Sequence, residues 1–395
     1  MAIIHSMIDD DLYKFTMGQA VFLRYPEGRV EYRFTNRGAQ RFNEAFLTAL
    51  NEELVAIESL QATEEEIAFL RSTGYFGEPY LRFLKDYRYD AREVFSALAD
   101  DGDLVIRARG PWARTIYWEV KLMAIISELY FSLVDTDWSL DGQLDRAREK
   151  FAILREGKAP FADFGTRRRR SFAAQELVVK SFAQEPEKGV FLGTSNVYLA
   201  MRYGLKPVGT TAHEWFQGIS ALESLNHANR QALRSWADLY RGTGIPLIGL
   251  TDTFTTEAFL TDFNPELAAE YGGVRHDSGC PFSFADRIVE FYEDIGIRAA
   301  GKSITFSDGL TASKAAQIRS YVGDRIQAVF GIGTHFTNDF PGSPALNIVI
   351  KLYAVDGIPV VKLSDSPTKA SGDPDAVRVA RWVHSGRALD EREAA

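Results

Sequence analysis

Cysteine is nearly absent: Cys280 stands alone among 395 residues, which excludes an intramolecular disulfide and any all-cysteine zinc or iron–sulfur centre. That usage fits a reducing compartment. None of the six histidines pairs with another at metal-site spacing, so zinc is not expected. Long apolar runs are missing too. The longest, Thr115 to Val134, is broken by Glu119, Lys121 and Glu128 and reads as a buried helix, not a membrane span. Near the amino end, Asp9, Asp10 and Asp11 stand where a signal peptide would need an apolar core, so a cytoplasmic protein is expected. No tandem repeat or low-complexity tract occurs. Positive charge does not dominate either. A formal net charge of -9 opposes binding to nucleic acid or anionic membrane, so any anion site has to be local, built from a few arginines and backbone N–H groups. A small ligand is the expectation.

What is present is an ordinary globular composition, 46% hydrophobic and 25% charged, over a length that suits two or three domains or one barrel with additions. Val30 to Thr35 alternates apolar and polar residues as a half-buried strand does. Phe46–Leu60 and Thr63–Arg71 read as helices, the second opening on a Thr63-x-x-Glu66 capping box. Glu93–Ala99 and Leu104–Arg109 flank Asp100-Asp-Gly-Asp103 as a hairpin, and Ile348–Ala354 with Pro359–Ser364 form a second around Asp356-Gly357. The tail after Ser364, ending in Asp390-Glu-Arg-Glu, reads as a loop, a short packing segment and a frayed end.

Between these ends, seven short apolar runs alternate with helix-length spacers: Phe161–Phe164, Val190–Leu192, Pro207-Val208, Pro246–Leu250, Gly273–Arg275, Ser303–Phe306 and Gln327–Phe330. Such alternation predicts parallel β/α structure. Polar residues follow each run, among them Gly165-Thr-Arg-Arg, Gly193-Thr-Ser-Asn, Gly209-Thr-Thr-Ala-His, Thr251-Asp-Thr, Arg275-His-Asp-Ser-Gly, Ser307-Asp-Gly and Gly331-Ile-Gly-Thr. A barrel collects its βα loops on one face, which favours it over an open sheet.

Several of these residues carry chemistry as well as a bland reading. Gly331-Ile-Gly-Thr334 is a turn or a phosphate cradle. Arg167 to Arg170 is a solvated run, or holds one or two forks for an anionic substrate with the rest facing solvent or a subunit interface. Asp277 and Asp308 are turn formers, or acceptors for ribose hydroxyls and Mg²⁺-bound water. Arg275 projects to the same side as Asp277, so the two can grip opposite ends of one ligand. His213 precedes Glu214, a carboxylate that can fix its tautomer for nucleophilic or acid–base duty.

Asp10-Asp-Leu-Tyr-Lys-Phe-Thr-Met17, Trp118-Glu-Val with Ser127-Glu-Leu-Tyr130, Phe164-Gly-Thr-Arg-Arg168, Gly193-Thr-Ser-Asn-Val-Tyr-Leu-Ala200, Gly209-Thr-Thr-Ala-His-Glu-Trp-Phe216, Thr251-Asp-Thr253, Arg275-His-Asp-Ser-Gly279 and Phe330-Gly-Ile-Gly-Thr334 occur in this order. Together they resemble the nicotinate phosphoribosyltransferases of the shorter bacterial and fungal type, over nearly the whole chain. The resemblance implies an irregular α/β barrel, residues 126–345, beside an α+β domain from residues 1–125 to which residues 346–395 return. It implies condensation of nicotinate with 5-phosphoribosyl 1-pyrophosphate, with ATP as co-substrate, Mg²⁺ held through substrate and water, a phosphohistidine at His213, and a homodimer with shared active sites. By the same resemblance Tyr13 of a neighbouring subunit and Phe164 sandwich the pyridine ring. Arg167 and Arg275 face its carboxylate or the sugar phosphate, Asp277 and Asp308 lie near the sugar hydroxyls, and Gly333 and Thr334 hold the 5-phosphate. Gly209, Thr210, Asp252, Ser307 and Gly309 complete the expected substrate contacts. Ser195 stands where nicotinamide-using relatives carry aspartate, which favours the acid over the amide. Cys280 replaces a frequent aspartate of the family. The alternatives are a nicotinamide or quinolinate phosphoribosyltransferase, or a catalytically silent regulator that binds NAD metabolites.

Overall fold

The computed structural model describes residues 3–389, and its longer strands up to residue 332 are, in chain order, β1 (Arg29–Asn36), β2 (Val94–Leu98), β3 (Leu104–Pro111), β4 (Phe161–Asp163), β5 (Phe191–Thr194), β6 (Ile248–Leu250), β7 (Gly273–His276), β8 (Ser303–Phe306) and β9 (Gln327–Ile332). The chain divides into two compact units. The first comprises Met1–Gly209, Gly309–Gln317 and Phe330–Lys351; the second comprises Thr210–Asp308, Ile318–Val329 and Leu352–Ala395.

Within the first unit, β1 pairs antiparallel with β3, and β3 with β2, forming the hairpin read around Asp100–Asp103. The alternation of β3 buries Leu104, Ile106 and Ala108 on one face, as period-two patterning requires. Helix Glu64–Ser72 opens on the expected capping box, with Thr63 accepting from Glu66 N and Glu66 accepting from Thr63 N. The interrupted apolar run forms Trp112–Thr115 and Trp118–Leu133, and of its interrupting charges Glu119 and Lys121 are buried and Glu128 is half-buried. Lys121 Nζ donates to Met7 O at 3.1 Å and Asp9 O at 2.5 Å and lies 3.3 Å from Asp10, so the buried ammonium is met by hydrogen-bond acceptors inside the core. In the same unit β4 lies between β5 and β9, parallel to both.

In the second unit β7 runs parallel between β6 and β8, and helices Pro281–Asp294 and Ala228–Tyr240 bury apolar faces. Six of the seven apolar runs are therefore strands. The exception is Pro207-Val208, which makes one isolated bridge to Thr194. The pairing there rests on Val208 N donating to Thr194 O at 3.0 Å. Strand Ile348–Val355 pairs at its end with Ile358–Pro359, so the second hairpin turns where expected, but its second arm is a two-residue strand and the predicted continuation through Ser364 leaves the sheet for a loop. The tail departs from expectation: Pro374–Leu389 is a helix, longer than a short packing segment, while the Asp390-Glu-Arg-Glu part of that reading lies outside the described residues. No helix among the described residues is long and apolar enough to cross a membrane.

Candidate active site

In the first unit, Asp163 at the end of β4 sets the loop that follows. Its carboxylate accepts from Gly165 N at 2.9 Å, Thr194 Oγ1 at 2.7 Å and Gln175 Nε2 at 3.0 Å, while burial raises its pKa to about 6. Phe164 N in turn donates to Ile332 O at 2.9 Å. The Phe164 ring lies across the backbone of Gly331 so closely that a Cβ there would come within 2.3 Å of it. Glycine in this β9 position is thus what lets the aromatic plane settle. Gly333 and Thr334 follow directly, at the start of helix Thr334–Thr337.

Tyr13, on helix Leu12–Arg24, donates its hydroxyl to Glu119 Oε2 at 3.4 Å. Glu119 also holds Lys14 at 2.6 Å and Arg167 at 3.3 Å. Burial pushes the Glu119 carboxyl up, but the two cations outweigh it and keep the group ionised. Ser195 is buried, donates to Asp11 Oδ1 at 2.6 Å and accepts from Leu12 N at 2.8 Å, and Gly209 lies beside Leu12 and Tyr13. Tyr13, Ser195, Gly209 and Arg167 are therefore neighbours around the amino end of one helix.

The arginine run divides. Arg167 is 39% exposed, whereas Arg169 and Arg170 are fully buried and face neither solvent nor an interface. Arg169 grips Asp9 through both terminal nitrogens at 2.7 and 2.9 Å. Arg170 donates to Ser343 Oγ at 2.6 Å and Ser343 O at 2.5 Å and lies over the Phe131 ring at 3.4 Å. Only guanidinium, planar and weakly hydrated, suits such sites.

In the second unit, His213 is the first residue of helix His213–Leu222, where the helix dipole opposes positive charge. Its Nε2 lies 2.8 Å from Asp252 Oδ1, at the end of β6, and 3.6 Å from Asp277 Oδ2, just after β7. The carboxylate on this nitrogen is therefore Asp252, where the sequence had pointed to Glu214. Asp252 Oδ2 accepts from Ser278 Oγ at 2.6 Å and lies 2.7 Å from Lys362 Nζ, which is 3.8 Å from Asp277. Burial works against ionisation of both aspartates; His213 and Lys362 hold Asp252 well below the usual carboxylate range, and Arg275 and Lys362 hold Asp277 there. An ionised Asp252 accepts only, so Nε2 carries the proton and Nδ1 the lone pair. Burial, then Lys362, lowers the His213 pKa below its ordinary value, which favours the neutral ring near neutral pH.

Arg275 does not stand opposite Asp277 across a gap. It donates to Asp277 Oδ1 at 3.1 Å, to Ser307 Oγ at 2.8 Å, to Thr210 Oγ1 at 2.9 Å and to Thr211 O at 3.2 Å. This fork ties the loops after β7 and β8 to the chain entering His213. Asp308 receives Lys369 Nζ at 2.6 Å, and Gly309, at φ 55, turns the chain after it. Although His213, Asp252 and Asp277 lie close enough to share a cation, Lys362 already supplies positive charge to the two carboxylates. The donor set therefore fits a metal carried by phosphate oxygens and water better than one bound directly. Cys280 is exposed at the start of helix Pro281–Asp294 and makes no part of the His213 cluster.

Sequence reasoning passed over Glu119, Lys14 and the C-terminal loop bearing Lys362, Ser364, Asp365 and Lys369. The available signal was Lys362-Leu-Ser-Asp365 with Lys369 after it, charged and small residues that the sequence reading divides between a hairpin arm ending at Ser364 and the tail beyond it.

Comparison with known proteins gives a consistent result. Residues 159–386 match the model of the Nicotinate phosphoribosyltransferase family, and residues 8–127 match that family's N-terminal domain. A nicotinate phosphoribosyltransferase of Methanosarcina acetivorans is 45% identical, covering 98% of this chain and all of its own length. That of Chromohalobacter salexigens is 42% identical over 96% of this chain and 98% of its own. Among solved structures, the nicotinate phosphoribosyltransferase from Porphyromonas gingivalis has TM-score 0.92 at 37% identity, covering 96% of this chain and 99% of its own. The one from Vibrio cholerae has TM-score 0.90 at 34% identity, covering 99% and 97%. These likenesses bear out the α/β fold with a second α+β part expected from the motifs.

Proposed function

Because this chain belongs to the nicotinate phosphoribosyltransferase family, we propose that it condenses nicotinate with 5-phosphoribosyl 1-pyrophosphate to nicotinate mononucleotide and pyrophosphate for NAD synthesis, driven by ATP through a phosphohistidine at His213. The observation that carries the ATP-linked part is the 2.8 Å contact of His213 Nε2 with an ionised Asp252 at a helix start. It leaves the Nδ1 lone pair to attack the γ-phosphorus of ATP. The bond from that phosphorus to the β,γ-bridging oxygen breaks, ADP leaves with the electron pair, and the Nε2 proton stays on the hydrogen bond to Asp252. The new negative charge is favoured by the helix N-terminus and by the nearby Lys362. Later attack of water on phosphorus breaks the N–P bond, releases orthophosphate and restores the neutral imidazole.

For the condensation, the pyridine nitrogen forms its bond to the anomeric carbon as the bond to pyrophosphate breaks and the electron pair departs with that group. In this reading Phe164 and Tyr13 orient the base, Arg167 receives its carboxylate, Gly333 and Thr334 receive the 5-phosphate, and Asp277 and Asp308 face the ribose hydroxyls. Mg²⁺, carried on pyrophosphate or ATP oxygens, would neutralise leaving charge. Ser195, engaged with Asp11, brings no second carboxylate to repel nicotinate, which favours the acid over the amide. A homodimer in which a neighbour supplies Tyr13, located in the cytoplasm, completes the proposal.

The test is conversion of labelled nicotinate by wild type and His213→Ala, with phosphoribosyl pyrophosphate and Mg²⁺, with and without ATP. Labelled mononucleotide is expected from both proteins at high substrate, with ATP stimulation in wild type only. Equal stimulation of the variant would remove His213 from the ATP cycle.

A further inference from the structure

Residues 362–371 form a loop that closes on itself within the second unit. Lys362 N donates to Ser371 O and Ser371 N to Lys362 O, both at 2.9 Å. Closure relies on Gly372 directly after: its φ is 124, and a Cβ there would lie 2.6 Å from Val360 O. The loop is also pinned to neighbouring segments of the same unit. Leu363 N donates to Thr253 O at 2.7 Å, Asp365 accepts from Thr256 N at 2.7 Å and Thr256 Oγ1 at 2.6 Å, and Asp365 N donates to Ser278 Oγ at 3.1 Å. Ser364, between them, is buried at φ 65, a backbone region that a non-glycine residue occupies only when its surroundings impose it.

This anchoring fixes one ammonium. Lys362 is 7% exposed and spans the two carboxylates that flank His213, Asp252 at 2.7 Å and Asp277 at 3.8 Å. A lysine carries a large rotamer entropy, and burying it so tightly is costly unless the charge has work to do there. Two carboxylates without a counter-cation would draw a proton onto the imidazole between them, and a protonated ring has no lone pair.

We propose that Lys362 is a positioning residue for phosphoryl acceptance: held by the closed loop, it neutralises Asp252 and Asp277 so that His213 faces ATP as a neutral nucleophile. The proposal rests on the phosphohistidine reading given above. The charged groups facing His213 are Asp252 and Asp277 from the ends of β6 and β7 and Lys362 from the loop, with Arg275 on the other oxygen of Asp277. Lys362 is, after burial, the main influence that lowers the His213 pKa, in accord with the geometry.

The experiment measures the rate of acid-labile labelling of the full-length protein by γ-labelled ATP from about pH 5 to about pH 8. Wild type is compared with Lys362→Met, Lys362→Gln and Lys362→Arg. Removing the charge is expected to move the low-pH limb of labelling up by about one pH unit, so that labelling falls by up to roughly tenfold at pH values below the wild-type limb while that near pH 8 stays close to wild type. Lys362→Arg is expected to keep the wild-type limb. A limb unmoved in both Lys362→Met and Lys362→Gln, or a loss uniform across pH, would overturn the proposal while leaving the phosphohistidine intact. Absence of label from wild type would overturn both readings together.

Discussion

Side chains that look alike in the sequence carry different duties. Arg167 and Arg169 lie two positions apart, yet one is 39% exposed against Glu119 and the other fully buried on Asp9. Replacing Arg169 by Met strands the Asp9 carboxylate, and a loss of about 3–5 kcal/mol in unfolding free energy is expected by denaturant titration. Arg167→Gln is expected to leave the denaturation midpoint near wild type and to raise the KM for nicotinate several-fold. The Asp9 pair also has a pH signature. Asp9 has a folded pKa of about 2 against an ordinary 3.8, since Arg169 outweighs burial, so its contribution is present above about pH 4 and is lost as pH falls toward 2. The stability gap between wild type and Asp9→Asn should therefore be widest at neutral pH and close over that interval. A gap independent of pH would show that Asp9 is not the titrating partner. None of this division was legible in Arg-Arg-Arg-Arg, because burial depends on chain brought in from residues 3–9 and from Ser343. His213, by contrast, stood out from its neighbours in sequence, although its carboxylate partner came from 39 residues away.

Among elements, those with strictly local causes could be read directly. The Thr63–Glu66 capping box and the hairpin at Asp100–Asp103 depend on residues a few positions apart, and both form as expected. Pro207-Val208 has the apolar pattern of a strand but is held by one isolated bridge to Thr194. The loop 362–371 was illegible because its fixation comes from Thr253, Thr256 and Ser278, all distant in sequence. Close approach of elements gives a test of its own. Gly331→Ala would drive a methyl into the Phe164 ring, and the expected outcome is a nicotinate KM raised roughly tenfold or more, with acid-labile labelling by ATP retained. Unchanged KM would detach Phe164 from the base.

At the scale of the whole molecule, the ordered set of motifs pointed to the family and its fold, and the matches over 8–127 and 159–386 agree. Both compact units draw on several separate segments of the chain. The proposed shared-site homodimer makes a distinct prediction. Tyr13→Ala and Phe164→Ala subunits, each poorly active alone, should regain activity when co-expressed as a mixed dimer, since one pocket would then have both rings. No recovery in an isolated heterodimer would assign Tyr13 to its own chain's pocket.

The most direct measurement is to label wild type with γ-labelled ATP, denature it in alkali, and locate the phosphate by mass spectrometry and ³¹P NMR. With Asp252 holding the Nε2 proton, the phosphate is predicted on Nδ1 of His213, and Asp252→Asn should slow its formation at least roughly a hundredfold. Phosphate on Nε2, on another residue, or formed at full rate in Asp252→Asn would contradict the account.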